Sequence, residues 1–115
     1  MNAVRKPSQK EQKLIEFLVR KAKDLCLSPD WMDSLYVQTT NDGGMGSLAL
    51  FPNGTPKEKR LFGEEVSKFQ FADTDGVDVI VSLYVDKDGN LFEVDSWKTD
   101  FSPLIDLPND LFEKG

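Results

Sequence analysis

With 115 residues, 14 basic and 20 acidic side chains and a net charge of −6, the chain has the size of one domain, which buries roughly two thirds of its unfolded surface. The negative balance argues against nucleic acid or anionic lipid as a partner and in favour of a basic protein. The complete lack of histidine removes Ser-His and Cys-His nucleophile pairs, imidazole acid-base chemistry and His-containing zinc sites.

The N-terminal residues 1–13 lack the apolar block of a secretory signal, and no apolar run approaches the roughly 20 residues that span a bilayer. A cytoplasmic location with no membrane association is therefore expected. Ser8 with Glu11 forms a capping box behind Pro7 and opens a helix. Leu14, Ile15, Leu18, Ala22 and Leu25 recur at helical spacing, flanked by Val19 and Cys26, so this amphipathic helix is expected to pack on a sheet. Its basic residues Lys10, Lys13, Arg20, Lys21 and Lys23 decorate the opposite surface. Cys26, the single cysteine, cannot form an internal disulfide and reads as a small core residue.

Ser28 as a cap, with Pro29 at the first helical position, predicts a short second helix taking in Asp30, Trp31 and Met32. Residues 35–40 have the β-branched and aromatic content of a strand. The glycine-dense stretch from Asn41 to Ser47 predicts a reversal before residues 48–51 return as a second strand. Its glycines invite a phosphate-cradle reading that its sequence supports weakly: it lacks a Gly-Lys-Ser/Thr ending and a GxGxxG spacing, and strand rather than helix is expected to follow. Residues 52–59 form a turn-rich charged connector, in which Asn53, Gly54 and Thr55 match a glycosylation acceptor in spelling only. In residues 64–73, Val66, Phe69 and Phe71 alternate with polar neighbours and predict a third strand, with a helical turn over 63–68 as the alternative.

After the turn Asp73, Thr74, Asp75, Gly76, residues 77–98 predict a β-hairpin. Val77, Val79, Val81, Leu83 and Val85 hold one parity, the two-residue period of a strand with one dry face. Asp86, Lys87, Asp88, Gly89 and Asn90 supply turn chemistry. The favoured register sets Phe92 and Val94 beside Val85, Leu83 and Val81, because a slip by one residue would bury Glu93 and Asp95. The outer face then displays Ser82, Tyr84, Glu93 and Asp95, with Ile80 and Trp97 among them. Residues 71–100 carry eight acids against Lys87 and Lys98, a net of −6 equal to that of the whole chain, while residues 1–26 carry seven basic residues against three acids, a net of +4. This acidic face is either a docking surface or a solubilising one. Beyond it, Pro103 excludes regular pairing, and the tail through Leu107 and Pro108 to Leu111 and Phe112 is expected to lie across the domain edge. Trp97 has two readings, an exposed anchor or a ring folded under Phe101 and Leu104.

Without internal repeat or linker, the expectation is a single domain over residues 1–115. Its fold class is α+β: an N-terminal amphipathic helix and a short second helix on a mainly antiparallel sheet of about five strands. Catalytic signatures fit poorly. The turn from Asp86 resembles the start of an EF-hand loop, yet Leu91 stands where glycine is needed and Trp97 where a bidentate glutamate belongs. Glu93, Asp95 and Lys98 suggest a nuclease carboxylate-lysine cluster, but an acidic hairpin suits an anionic substrate badly. No catalytic residue, metal site or cofactor is expected.

The segments DGGMGSL (42–48), VSLYVDKDGNLFEVD (81–95) and SWKTDFSPL (96–104) together resemble a family of small uncharacterised bacterial domains. These begin with a basic helix and end in a WKxDFSP-type segment, and the resemblance runs from about Arg5 to Leu107. Such small acidic domains are also similar to immunity proteins of bacterial toxin systems, including contact-dependent growth inhibition. The resemblance implies no chemistry: it implies docking on a cognate toxin domain, often a basic nuclease. The residues expected to bind that partner are Asp78, Tyr84, Asp86, Asp88, Glu93, Asp95, Trp97 and Asp100, the acids steering association and the rings anchoring it. The rival expectation is a small enzyme or ligand-binding domain with a pocket at the loop from Gly43 to Gly46. A third is a structural subunit that pairs through a sheet edge.

Overall fold

A computed structural model of the protein describes residues 3–22, 25, 27–40, 44–54 and 60–108. Lys23, Cys26, Asn41, Asp42, Gly43, the connector residues 55–59, Leu111 and Phe112, all within stretches named above, lie outside the described residues. Among the described residues one helix, α1 (Gln9–Lys21), precedes five strands: β1 (Leu35–Thr39), β2 (Leu48–Pro52), β3 (Phe62–Ala72), β4 (Asp78–Asp86) and β5 (Leu91–Lys98). The strands form one sheet in the order β1-β2-β5-β4-β3, with every neighbouring pair antiparallel.

The helix begins where its cap dictates. Ser8 Oγ accepts the Glu11 amide at 3.2 Å, and Glu11 Oε1 accepts the Ser8 amide at 2.8 Å, so two otherwise orphaned donors are satisfied. Glu11 also pairs with Arg5. Leu14, Ile15 and Leu18 lie in one buried cluster with Leu35, Val37, Leu48, Leu50, Phe69, Phe71, Val79, Val81, Leu83, Leu91 and Val94. Phe17 meets Phe69 edge-on, with ring centroids 4.7 Å apart. The short second helix is not formed. Residues 29–34 make successive turns closed by Trp31 N to Ser28 O and Asp33 N to Asp30 O, bonds of three-residue spacing rather than an α-helical ladder. Trp31 and Met32 still pack against the core.

Two local departures change which side chains go inside. In β3 the register shifts between Phe62 and Glu64 and again between Glu65 and Ser67, so bulges take the place of the alternative helical turn. In β5 a bulge at Phe92 sets Leu91, not Phe92, opposite Val85, while Val94 faces Leu83 as expected. Phe92 remains buried, but its ring lies against Phe62 and the Arg60 guanidinium. Continuing the same parity, Ser96 stands opposite Val81 and Lys98 opposite Val79. A lysine therefore enters the core face, only 1 % exposed.

Both sheet edges are blunted. Arg5 exchanges two backbone hydrogen bonds with Val37 along the free side of β1, and the β3 edge carries the two bulges and has its Lys68 carbonyl taken by Lys21. Bulges and covered carbonyls discourage edge-to-edge pairing. No helix among the described residues is long and apolar enough to cross a membrane.

Candidate protein-docking face

The outer face of the sheet follows from the register, since residues directly opposite in antiparallel strands share a face. Tyr84 stands between Glu65 and Glu93, Ser82 between Lys68 and Asp95, and Ile80 between Gln70 and Trp97. Their neighbours Val79, Val81 and Leu83 are fully buried on the other side, so this grid points outward. Asp95 and Glu65 are exposed, whereas Tyr84, Ile80 and Glu93 are half-buried. Ala49 and Phe51 share this side on β2 and are buried, so the exposed part is the β3-β4-β5 portion.

Tyr84 reports the local field. Burial raises its hydroxyl pKa first, the charge of Glu65 raises it further, a hydrogen bond with Ser82 works against both, and Asp95 and Glu93 add smaller upward contributions. Three carboxylates from two strands thus act on one phenol. Ser47 Oγ lies 3.2 Å from both Asp95 Oδ1 and the Ser96 carbonyl, so its one hydroxyl proton is shared between them, and it accepts the Ser96 amide at 2.8 Å.

At one end of the face, Trp97 is 39 % and Phe101 68 % exposed, and their rings meet at 5.7 Å with a 55° tilt. Phe101 has φ 63°, a left-handed conformation rare for a bulky side chain. The turn that imposes it is closed by Phe101 N donating to Lys98 O at 2.8 Å. Asp100 Oδ1 accepts from both Ser102 N and Ser102 Oγ, and these two donors hold the Asp100 carboxyl below its usual range. The tail therefore adds an aromatic beside Trp97 and does not bury it.

The other expected site residues scatter. Asp88 sits at the exposed tip of the β4-β5 turn, and Asp78 is half-buried at the far end of the outer row. Asp86, expected on the binding surface, is instead inside. Its carboxylate accepts the Asp88 and Asn90 amides at 2.9 Å each and pairs with Arg60 at 3.2 Å. Arg60 also reaches the carbonyls of Leu50 and Leu91. The hairpin's surface charge is correspondingly smaller than its residue count implies, because Asp73 and Asp75 answer Lys98 and Asp86 answers Arg60. Glu65 was missed by sequence reasoning, because its place beside Tyr84 depends on the β3 bulge. Lys98, on the core face, points away from Glu93 and Asp95, so the three make no nuclease-type cluster.

The glycine loop is not an open pocket wall where it is described. Leu104 N donates to Gly44 O at 3.0 Å, and Leu104 Cδ2 lies 2.8 Å from where a Gly46 Cβ would stand. At the opposite end of β2 are two small cavities of about 200 and 220 Å³, lined by Trp31, Asn53 and Asn90 and by Asn53, Arg60 and Asp88 respectively. Among the described residues no group of three or more metal-binding side chains converges.

Fold and face together define an α+β domain, with one helix and a five-strand antiparallel sheet among the described residues and an outward acidic-aromatic sheet surface. The chain belongs to the family described as a domain of unknown function, DUF6984, whose profile matches residues 4–108. No curated protein and no solved structure matches it.

Proposed function

We propose that this domain is a non-catalytic binding protein that docks a basic protein on the outer face of β3, β4 and β5, acting as an immunity protein that occludes a cognate bacterial toxin in the cytoplasm. The observation that carries the reading is the single outward grid in which Glu65, Tyr84, Glu93, Asp95 and Trp97 are neighbours. Carboxylates interleaved with large rings suit a desolvated cationic surface: the charges raise the encounter rate and the rings supply contact area. The blunted sheet edges favour docking by a face over strand addition.

The experiment begins with the reading frame next to this one, which on this proposal encodes the toxin domain. Co-expression of the two proteins should rescue growth, and Glu93→Lys with Asp95→Lys should abolish rescue while leaving the circular dichroism spectrum unchanged. Full rescue by that folded double variant would remove this face from the function. A toxic partner unaffected by the wild-type chain would remove the immunity role.

A further inference from the structure

We infer that Asp95, Trp97 and Phe101 form a receptor for one arginine side chain of the basic partner, an inference that rests on the docking reading above. Asp95 and Trp97 are two residues apart on β5, hence on one face and roughly 6–7 Å apart along it. The pairing of Asp95 with Ser82 and Trp97 with Ile80 keeps that face outward. Ser47 Oγ reaches Asp95 Oδ1 at 3.2 Å, a neighbouring donor for the exposed carboxylate that stands beside an exposed indole. Phe101 lies against the indole, its ring centroid 5.7 Å away and tilted 55°, and the turn closed at Lys98 O together with the Asp100–Ser102 bonds keeps it there. The receptor is therefore built before a partner arrives, and little ordering cost is left to binding.

The geometry selects arginine over lysine. A guanidinium is planar, so its edge can pair with a carboxylate while its face stacks on an indole. A lysine ammonium is a compact, strongly hydrated charge that gains from the carboxylate and, having no plane to stack, less from the ring. Charge complementarity brings either cation to this face, since Glu65 and Glu93 lie one row beyond Asp95. Arginine gains more than lysine from the aromatic corner.

The test titrates the full ¹⁵N-labelled chain with an eight-residue oligoarginine and, separately, oligolysine, following the Trp97 indole N–H signal identified by its loss in Trp97→Phe. The oligoarginine is expected to shift that signal and to bind about two- to fivefold tighter than oligolysine. Trp97→Ala and Phe101→Ala should each bring that ratio to one, while Asp95→Asn weakens both peptides. Equal affinity of the two peptides for wild type, or a ratio unchanged in both aromatic variants, overturns the receptor. Loss of both peptides in Glu93→Lys with Asp95→Lys then leaves the acidic docking face standing without it. Binding of both peptides unaffected by that double variant overturns the face itself.

Discussion

The Lys98 ammonium lies 2.9 Å from Asp73 Oδ2, with both side chains closed off from solvent. Asp75 provides a second carboxylate at 2.7 Å and the Pro103 carbonyl a third acceptor at 3.3 Å. Asp73 in turn accepts the backbone amides of Thr74, Ile105 and Asp106. One buried ion pair thus ties the end of β5, the β3-β4 turn and the C-terminal tail together. Leu104 and Leu107 complete the closure against the core, and Lys10 on α1 holds Asp106 from the other side. Removing one partner of such a pair leaves an uncompensated charge inside, which costs far more than the pair itself contributes.

The first prediction concerns that knot. Lys98→Met should lower the melting temperature by on the order of 10–20 °C, and the Ile105 and Asp106 amides should lose hydrogen-exchange protection. Asp73→Asn should do the same to the two amides, because a neutral amide is a weaker acceptor. Unchanged protection in both variants would show that the tail is held in place without the buried pair.

Acid should loosen the same knot. Burial alone would raise the Asp73 carboxyl, but the Ile105 amide, Lys98 and the Thr74 and Asp106 amides lower it to about 2 from 3.8. A carboxyl depressed by folding contributes stability that is complete above its unfolded pKa and lost as pH falls through the folded value. Stability measured by urea unfolding should therefore fall between about pH 4 and pH 2, and the Asp73→Asn variant should show a shallower fall. Lys98 works at the other end of the scale. Burial would lower its pKa, yet Asp75 and Asp73 raise it overall, so its share is present below the ordinary lysine range and is lost only as pH climbs above it.

Gly63 sits at the first β3 bulge, where an added Cβ would meet Asp86 O at 2.5 Å and Val85 O at 2.8 Å. Both obstacles are backbone and cannot swing aside. Gly63→Ala should cost about 1–3 kcal/mol or more in urea unfolding. Gly89→Ala is the control: it faces open space but has φ +84°, so its cost should be limited to roughly 1–2 kcal/mol of left-handed strain.

The field on the outer face is measurable through Tyr84. In a Tyr36→Phe background, absorbance titration should place the Tyr84 hydroxyl above the ordinary tyrosine value, in line with its burial and the Glu65 charge. Glu65→Gln should bring it down, and Asp95→Asn should do so by less. No response to either substitution would mean that the three acids do not share a surface with the phenol.

Much of this was legible in the chain. The capping box of Ser8 and Glu11 needs only four consecutive residues, and the alternation of Val79, Val81, Leu83 and Val85 needs only one strand with a dry side. Both are local, so sequence carries them. The second helix after Ser28 was misread because a cap and a proline supply a helix start, whereas the turns of residues 29–34 must also lead into β1 and set Trp31 and Met32 against the core. Phe92 was misassigned because a bulge is invisible to a strict two-residue period, and Asp86 because a turn acid looks the same whether it faces water or Arg60.

Local periodicity and turn chemistry by themselves determined that an N-terminal helix precedes a mainly antiparallel sheet, and that Tyr84, Glu93, Asp95 and Trp97 share a side of a hairpin. Tertiary structure alone decided that β2 lies beside β5, that Glu65 joins Tyr84, and that Lys98 and Asp86 turn inward to Asp73 and Arg60. The physical reason is range. Backbone period and capping act over a few residues, but the burial of a charge is affordable only where a partner remote in sequence arrives to neutralise it.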